Sequence, residues 1–172
     1  MTYAQAAQAW HDFYVTAGAA AATLVGLLFV GLSLHIRVVV AHPDVRGLAR
    51  VTLTDFVDVL LVSLMVLAPV PAVSITYALF SAFVVSFAIT LRVGFDGFRR
   101  RRLRTIGLRV FVARFGLSVL CYLGLGAVAA LFARGDYQDG LGALLGVVLV
   151  LLAIAVRNTW DLLVTVADKR AA

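Results

Sequence analysis

Apolar residues in this chain come in long, nearly uninterrupted blocks rather than in the short alternations of strands or the narrow stripes of surface helices. A helix needs about 20 apolar residues, rising about 1.5 Å each, to cross a hydrocarbon core of about 30 Å. The first block reaches that length between Phe13 and Leu34 without a charge, and His35 and Arg37 end it. The second, Val51 to Ala68, is interrupted by Asp55 and Asp58, and Pro69 and Pro71 then mark a tight turn. A third block closes at Arg92, a fourth follows an arginine-rich stretch, and a fifth begins after the turn-forming run from Arg134 to Gly140.

The pattern predicts an all-α membrane protein. It is a bundle of five transmembrane helices over about 13–36, 50–68, 71–92, 106–133 and 141–166, within one integral membrane domain covering 1–172. The short proline turn leaves one alternative open, a re-entrant hairpin formed by the second and third blocks.

Composition reinforces this reading. The 172 residues are 63% hydrophobic and 14% charged, with a mean hydropathy of +1.02, too little polar surface to cover a soluble domain. Met1 to Asp12 lacks Lys and Arg, so the first block is expected to be a retained span rather than a secretory signal. The single cysteine, Cys121, cannot form an intrachain disulfide.

Charge sets the orientation. Of the 15 basic residues, all but Arg134 fall on alternate sides of the predicted crossings: Arg37, Arg46 and Arg50, then Arg92 to Arg114, then Arg157, Lys169 and Arg170. The positive-inside rule makes those segments cytoplasmic, which places the N-terminus outside and the C-terminus in the cytoplasm. The preference for Arg over Lys suggests a bacterial source, hence a multi-pass protein of the bacterial cytoplasmic (inner) membrane. The net charge of +6 fits anionic lipid better than nucleic acid in such a chain. Arg99, Arg100, Arg101, Arg102 and Arg104 are the candidate headgroup-binding cluster.

Small residues recur every fourth position, where they allow close helix contact: Gly18, Ala22 and Gly26; Ser74, Ala78, Ala82, Ser86 and Thr90; and Gly142 with Gly146.

The candidate chemistry lies in polar residues at membrane depth. Counted from Pro69, Asp58 lies about 16 Å in, near the midplane, and Asp55 about 21 Å in, one turn deeper. Each costs about 2.5–3.5 kcal/mol at the centre of a span on insertion scales. Tyr122, counted from Ala133, comes level with Asp58 and could donate its hydroxyl. Arg114, Arg157, Asn158, Asp161 and His35 fill out a polar layer in the cytoplasmic half. Two readings of this layer are open: an ion or proton pathway through Asp58 and Asp55, or a buried ion pair of Asp55 with Arg157 or Arg114 that orients helices.

His11, His35 and His42 do not converge with carboxylates, so no metal site is expected. Ser63, Ser81 and Ser118 have no His base on a matching face, and no phosphate loop or nucleophile elbow occurs. Neither enzyme activity nor a cofactor is expected. The functional expectation is a small homo-oligomeric channel or an ion- or proton-conducting protein using the second span's carboxylates. Its alternative is a membrane interaction or lipid-binding protein acting through its basic cytoplasmic face.

Overall fold

The computed structural model of the chain describes residues 2–99 and 108–171, with side chains other than those at 43–44, 96–99, 108–115 and 167–171. Among the described residues every element is a helix: α1 (Tyr3–Leu34), α2 (Ile36–Ala41), α3 (Pro43–Leu67), α4 (Ala72–Arg99), α5 (Leu108–Arg134) and α6 (Tyr137–Ala171).

Local chemistry explains the boundaries. α1 starts ten residues before the apolar block because Thr2 and Gln5 form a capping box, the Thr2 hydroxyl accepting from Gln5 N–H at 3.4 Å and Gln5 Oε1 from Thr2 N–H at 3.1 Å. The Ala- and Gln-rich turn that follows favours helix without being apolar. His35 leaves helical geometry at φ −122°, ψ 21°, and the chain resumes as α2. Pro43 opens α3 at a first-turn position, where its missing N–H costs nothing. Ala68, held extended at φ −70°, ψ 139° ahead of Pro69, closes it. α5 ends in a Schellman motif: Gly135 at φ 84° lets its N–H reach Phe132 O and Asp136 N–H reach Leu131 O, each at 3.1 Å.

Among the described residues four helices are long and apolar enough to cross a membrane: Tyr3–Leu34, Ala72–Phe95, Gly116–Arg134 and Tyr137–Val166. α3 is not among them, since any 18-residue stretch of Pro43–Leu67 carries at least three charged residues. Its 25 residues nevertheless extend about 37 Å.

The five long helices alternate in direction. Tyr3 OH donates to Val66 O at 2.7 Å and Gly18 abuts Ser63, so α3 runs antiparallel to α1. Gly47 abuts Val93, which makes α4 antiparallel to α3 and therefore parallel to α1. Gly126 meets Phe83 and Tyr122 faces Thr90, so α5 runs antiparallel to α4, and Gly124 meets Val147 while Gly140 meets Phe132, so α6 reverses once more. Tyr14 OH, donating to Leu141 O at 3.1 Å, sets α6 alongside α1. α3 is the interior helix of this arrangement, in contact with α1, α2, α4 and α6 and joined to α5 through Asp55.

The core has two parts. One runs from Tyr14 and Ile75 through Tyr122 and Leu125 to Leu144 and Leu151; the other gathers Leu28, Val45, Phe56 and Leu162 near the opposite end. Of the small-residue stripes, only that of α4 turns toward the interior over most of its length: Ser86 and Thr90 are buried, Ala78 and Ala82 half-buried, and Ser74 exposed. On α1 the packed face is Ala6, Tyr14, Ala17, Gly18 and Ala21, so Ala22 and Gly26 lie outside it. Gly142 and Gly146 have no neighbour within 4 Å of where a Cβ would stand, whereas Gly140 and Gly124 meet Phe132 and Val147 closely. The apolar sequence of a membrane helix is nearly uniform around its axis, so spacing alone does not reveal which stripe faces inward.

Candidate functional site

Among its described side chains α3 carries four buried polar ones, Thr52, Asp55, Asp58 and Ser63. Thr52 satisfies itself by donating to Leu48 O at 2.9 Å. The carboxylates cannot do this, because they only accept when ionised, and their donors come from neighbouring helices. Asp55 is 0% exposed and receives hydrogen bonds from two side chains of α5, the Tyr122 hydroxyl and, at 3.4 Å, the Ser118 hydroxyl. Asp58, 4% exposed and one turn nearer the α3–α4 turn, faces the Ser86 hydroxyl of α4. Asp58 Oδ2 is buried and has no hydrogen-bond partner among the described residues. Thr90, also on α4, faces the Tyr122 hydroxyl, and its own Oγ1 makes no hydrogen bond.

Tyr122 sits midway along α5, and its hydroxyl goes to Asp55 rather than to Asp58. The depth count misplaces it by one turn because it equates Pro69 with Ala133. Tyr3 supplies the true level: its hydroxyl reaches Val66 O, and its ring lies 6.1 Å from that of Phe132. From Val66 to Asp55 is 11 residues and from Phe132 to Tyr122 is 10, which brings the two groups into step.

The other expected members of the polar layer do not join them. Among the described residues neither carboxylate has an ion-pair partner within 4.0 Å. Arg157 is exposed on α6, away from Asp55, so that proposed pair is not formed. The Arg114 side chain lies outside the described residues, as do those of Arg99, Arg100, Arg101, Arg102 and Arg104. Asn158 is buried and Asp161 half-buried on α6. His35 caps the α1–α2 junction, its Nδ1 3.1 Å from Gly31 O, and lines a small crevice with Thr159 and Leu162. Among the described residues no three His, Cys, Asp or Glu side chains gather as metal ligands would.

A groove of about 430 Å³ lies between α3 and α4. Leu61, Met65 and Val85 are exposed along it, so it opens sideways from the bundle, and Asp58 and Ser86, with Thr54 and Ser81, supply its polar lining. Ala78 and Ala82 create the space, being too small to fill it from the α4 side. Sequence reasoning treats Ser86 and Thr90 only as small residues for helix contact and Ser118 only as an unsupported nucleophile. The usable signal is that hydroxyls recur on α4 and α5 at mid-height, where carboxylates of another span need donors.

Comparison of the chain with protein-family models, with curated proteins and with solved structures finds no match.

Proposed function

We propose that this protein conducts protons or small cations across the bacterial cytoplasmic membrane, with Asp58 and Asp55 on the path. The observation that carries the reading is Asp58 Oδ2: an acceptor inside a membrane bundle with no donor, one turn from a second carboxylate and with no described cation beside either. Leaving such an atom unpaired costs about 1–3 kcal/mol, more if the group is charged, and carboxylates kept at this depth mark proton relays and cation sites. Tyr122, Ser118, Ser86 and Thr90 line the pair with hydroxyls that can both donate and accept, as a relay of protons requires.

The path belongs to one protomer. Asp55 and Asp58 are 0% and 4% exposed, so a homo-oligomer would carry one path per copy rather than a shared ring of carboxylates.

Parity supports five crossings. α1 and α4 run in the same direction and both are apolar enough to cross, so the chain must return between them, and α3 is the helix of sufficient length. Arg37, Arg46, Arg50, Arg92 and Arg157 are exposed, which supports a cytoplasmic, lipid-contacting end and hence an external N-terminus. Lipid binding by itself, however, gives no role to the carboxylates.

Proton flux into proteoliposomes under an imposed potential tests the reading. Wild-type protein is expected to conduct, and Asp55→Asn/Asp58→Asn to lose at least tenfold. Equal conduction by the two would refute it.

A further inference from the structure

The groove between α3 and α4 has the chemistry of a ligand site. Its walls are apolar, formed by Leu61 and Val85 with Ala78 and Ala82 leaving the space, and its volume of about 430 Å³ lies within the range of small-molecule sites. Its one charged residue is Asp58, whose buried Oδ2 has no donor. An occupant that complements it therefore needs an N–H donor with positive charge at one end and an apolar body behind it. A neutral lipid chain would fill the walls and leave Oδ2 unpaired. Because Leu61, Met65 and Val85 are exposed at the opening, a ligand dissolved in the bilayer could enter from the side.

We infer that the groove binds lipophilic ammonium compounds, the ammonium pairing with Asp58 and the apolar body lying between α3 and α4. This assignment rests on the proposed role of Asp58 as a cation site and extends it to an organic cation. Two consequences separate it from simple partitioning. First, a proton and an ammonium compete for the same carboxylate, so apparent affinity falls as pH is lowered. The titratable groups facing the pair are Asp55 and Asp58 for each other, with Tyr122 and Cys121 from α5. α4 contributes only the hydroxyls of Ser86 and Thr90, while α1 between Tyr14 and His35 and α6 between Asp139 and Arg157 carry no titratable side chain. A primary alkylammonium stays protonated below about pH 9, so the pH slope reports the protein. Second, charge matters more than bulk.

Isothermal titration of full-length protein in nanodiscs tests this with 2-naphthylethylammonium and its uncharged analogue 2-naphthylethanol. The ammonium is expected to bind wild type at least tenfold more tightly than Asp58→Asn, with affinity weakening toward low pH only in wild type. Ala82→Leu, which narrows the groove and leaves the carboxylate in place, is expected to weaken binding as well, with thermal unfolding confirming that each variant is folded. Equal binding of ammonium and alcohol, or of wild type and Asp58→Asn, overturns the assignment and identifies the occupant as any apolar chain. Absence of ammonium binding alongside Asp58-dependent proton flux overturns the groove's assignment alone. Flux that survives Asp55→Asn/Asp58→Asn overturns the conduction reading itself.

Discussion

The Tyr122 hydroxyl donates to Asp55 at mid-height of the bundle, so α5 provides the donor that lets α3 keep a carboxylate buried among apolar helices. Removing the hydroxyl leaves Asp55 with the longer bond from Ser118 at 3.4 Å. Tyr122→Phe is expected to lower stability by about 1–3 kcal/mol, read from denaturant unfolding in micelles. In a double-mutant cycle with Asp55→Asn, the coupling should exceed the roughly 0.6 kcal/mol average of interhelical hydrogen bonds in membranes. Strict additivity would show that the contact contributes nothing.

Asp58 should behave in the opposite way. Its Oδ2 has no donor, and no described cation offsets its charge. Asp58→Asn is therefore expected to raise stability by about 1 kcal/mol while abolishing conduction, the trade expected of a functional group held under unfavourable conditions. Loss of stability comparable to that of Tyr122→Phe would assign Asp58 a structural role.

Gly140 stands against the ring of Phe132, where an added Cβ would lie 2.7 Å from Cε2 and 2.8 Å from Cδ2. The ring has little freedom to yield, being held between Tyr3 and Tyr137 at centroid distances of 6.1 and 5.7 Å. Gly140→Ala should cost about 1–3 kcal/mol by overpacking, whereas Gly142→Ala, with nothing within 4 Å, should be tolerated. Thermal unfolding of the two variants side by side decides this.

The crossing number can be read by labelling, because the single native cysteine, Cys121, is buried. Gln5→Cys and Gln138→Cys should react with a membrane-impermeant maleimide on intact cells, and Arg46→Cys only after permeabilisation. Labelling of Gln5→Cys but not Gln138→Cys from outside would remove α3 as a crossing, since three crossings rather than four would then separate the two positions.

Much of the helical fold is legible in the sequence, since long apolar blocks bounded by charges and prolines mark where helices run. All five expected spans fall on helices, although α1 begins earlier than hydropathy predicts because Thr2, Gln5 and alanines build helix without apolarity. What the sequence hides is rotation and register. Ala22 and Gly26 have the spacing of a contact face yet lie outside it, and Tyr122 meets the other aspartate because Tyr3 aligns Val66, not Pro69, with Phe132. Asp55 and Asp58 are conspicuous from sequence, but the groove beside Asp58 emerges only when α3 and α4 are placed together.

The separation of Asp55 from its donors also has a consequence in time. Ser118 and Tyr122 lie 63 and 67 residues further along the chain. At about 5–20 residues per second of synthesis, α3 leaves the ribosome some 3–13 s before the hydroxyls that accommodate it exist. If α3 crosses as proposed, its release into lipid is delayed over that interval, held at the insertion machinery or against α1, until α5 arrives. A nascent chain arrested after α4 should therefore leave α3 extractable or cleared by proteolysis, so the last helices of this protein determine whether one made much earlier remains in the membrane.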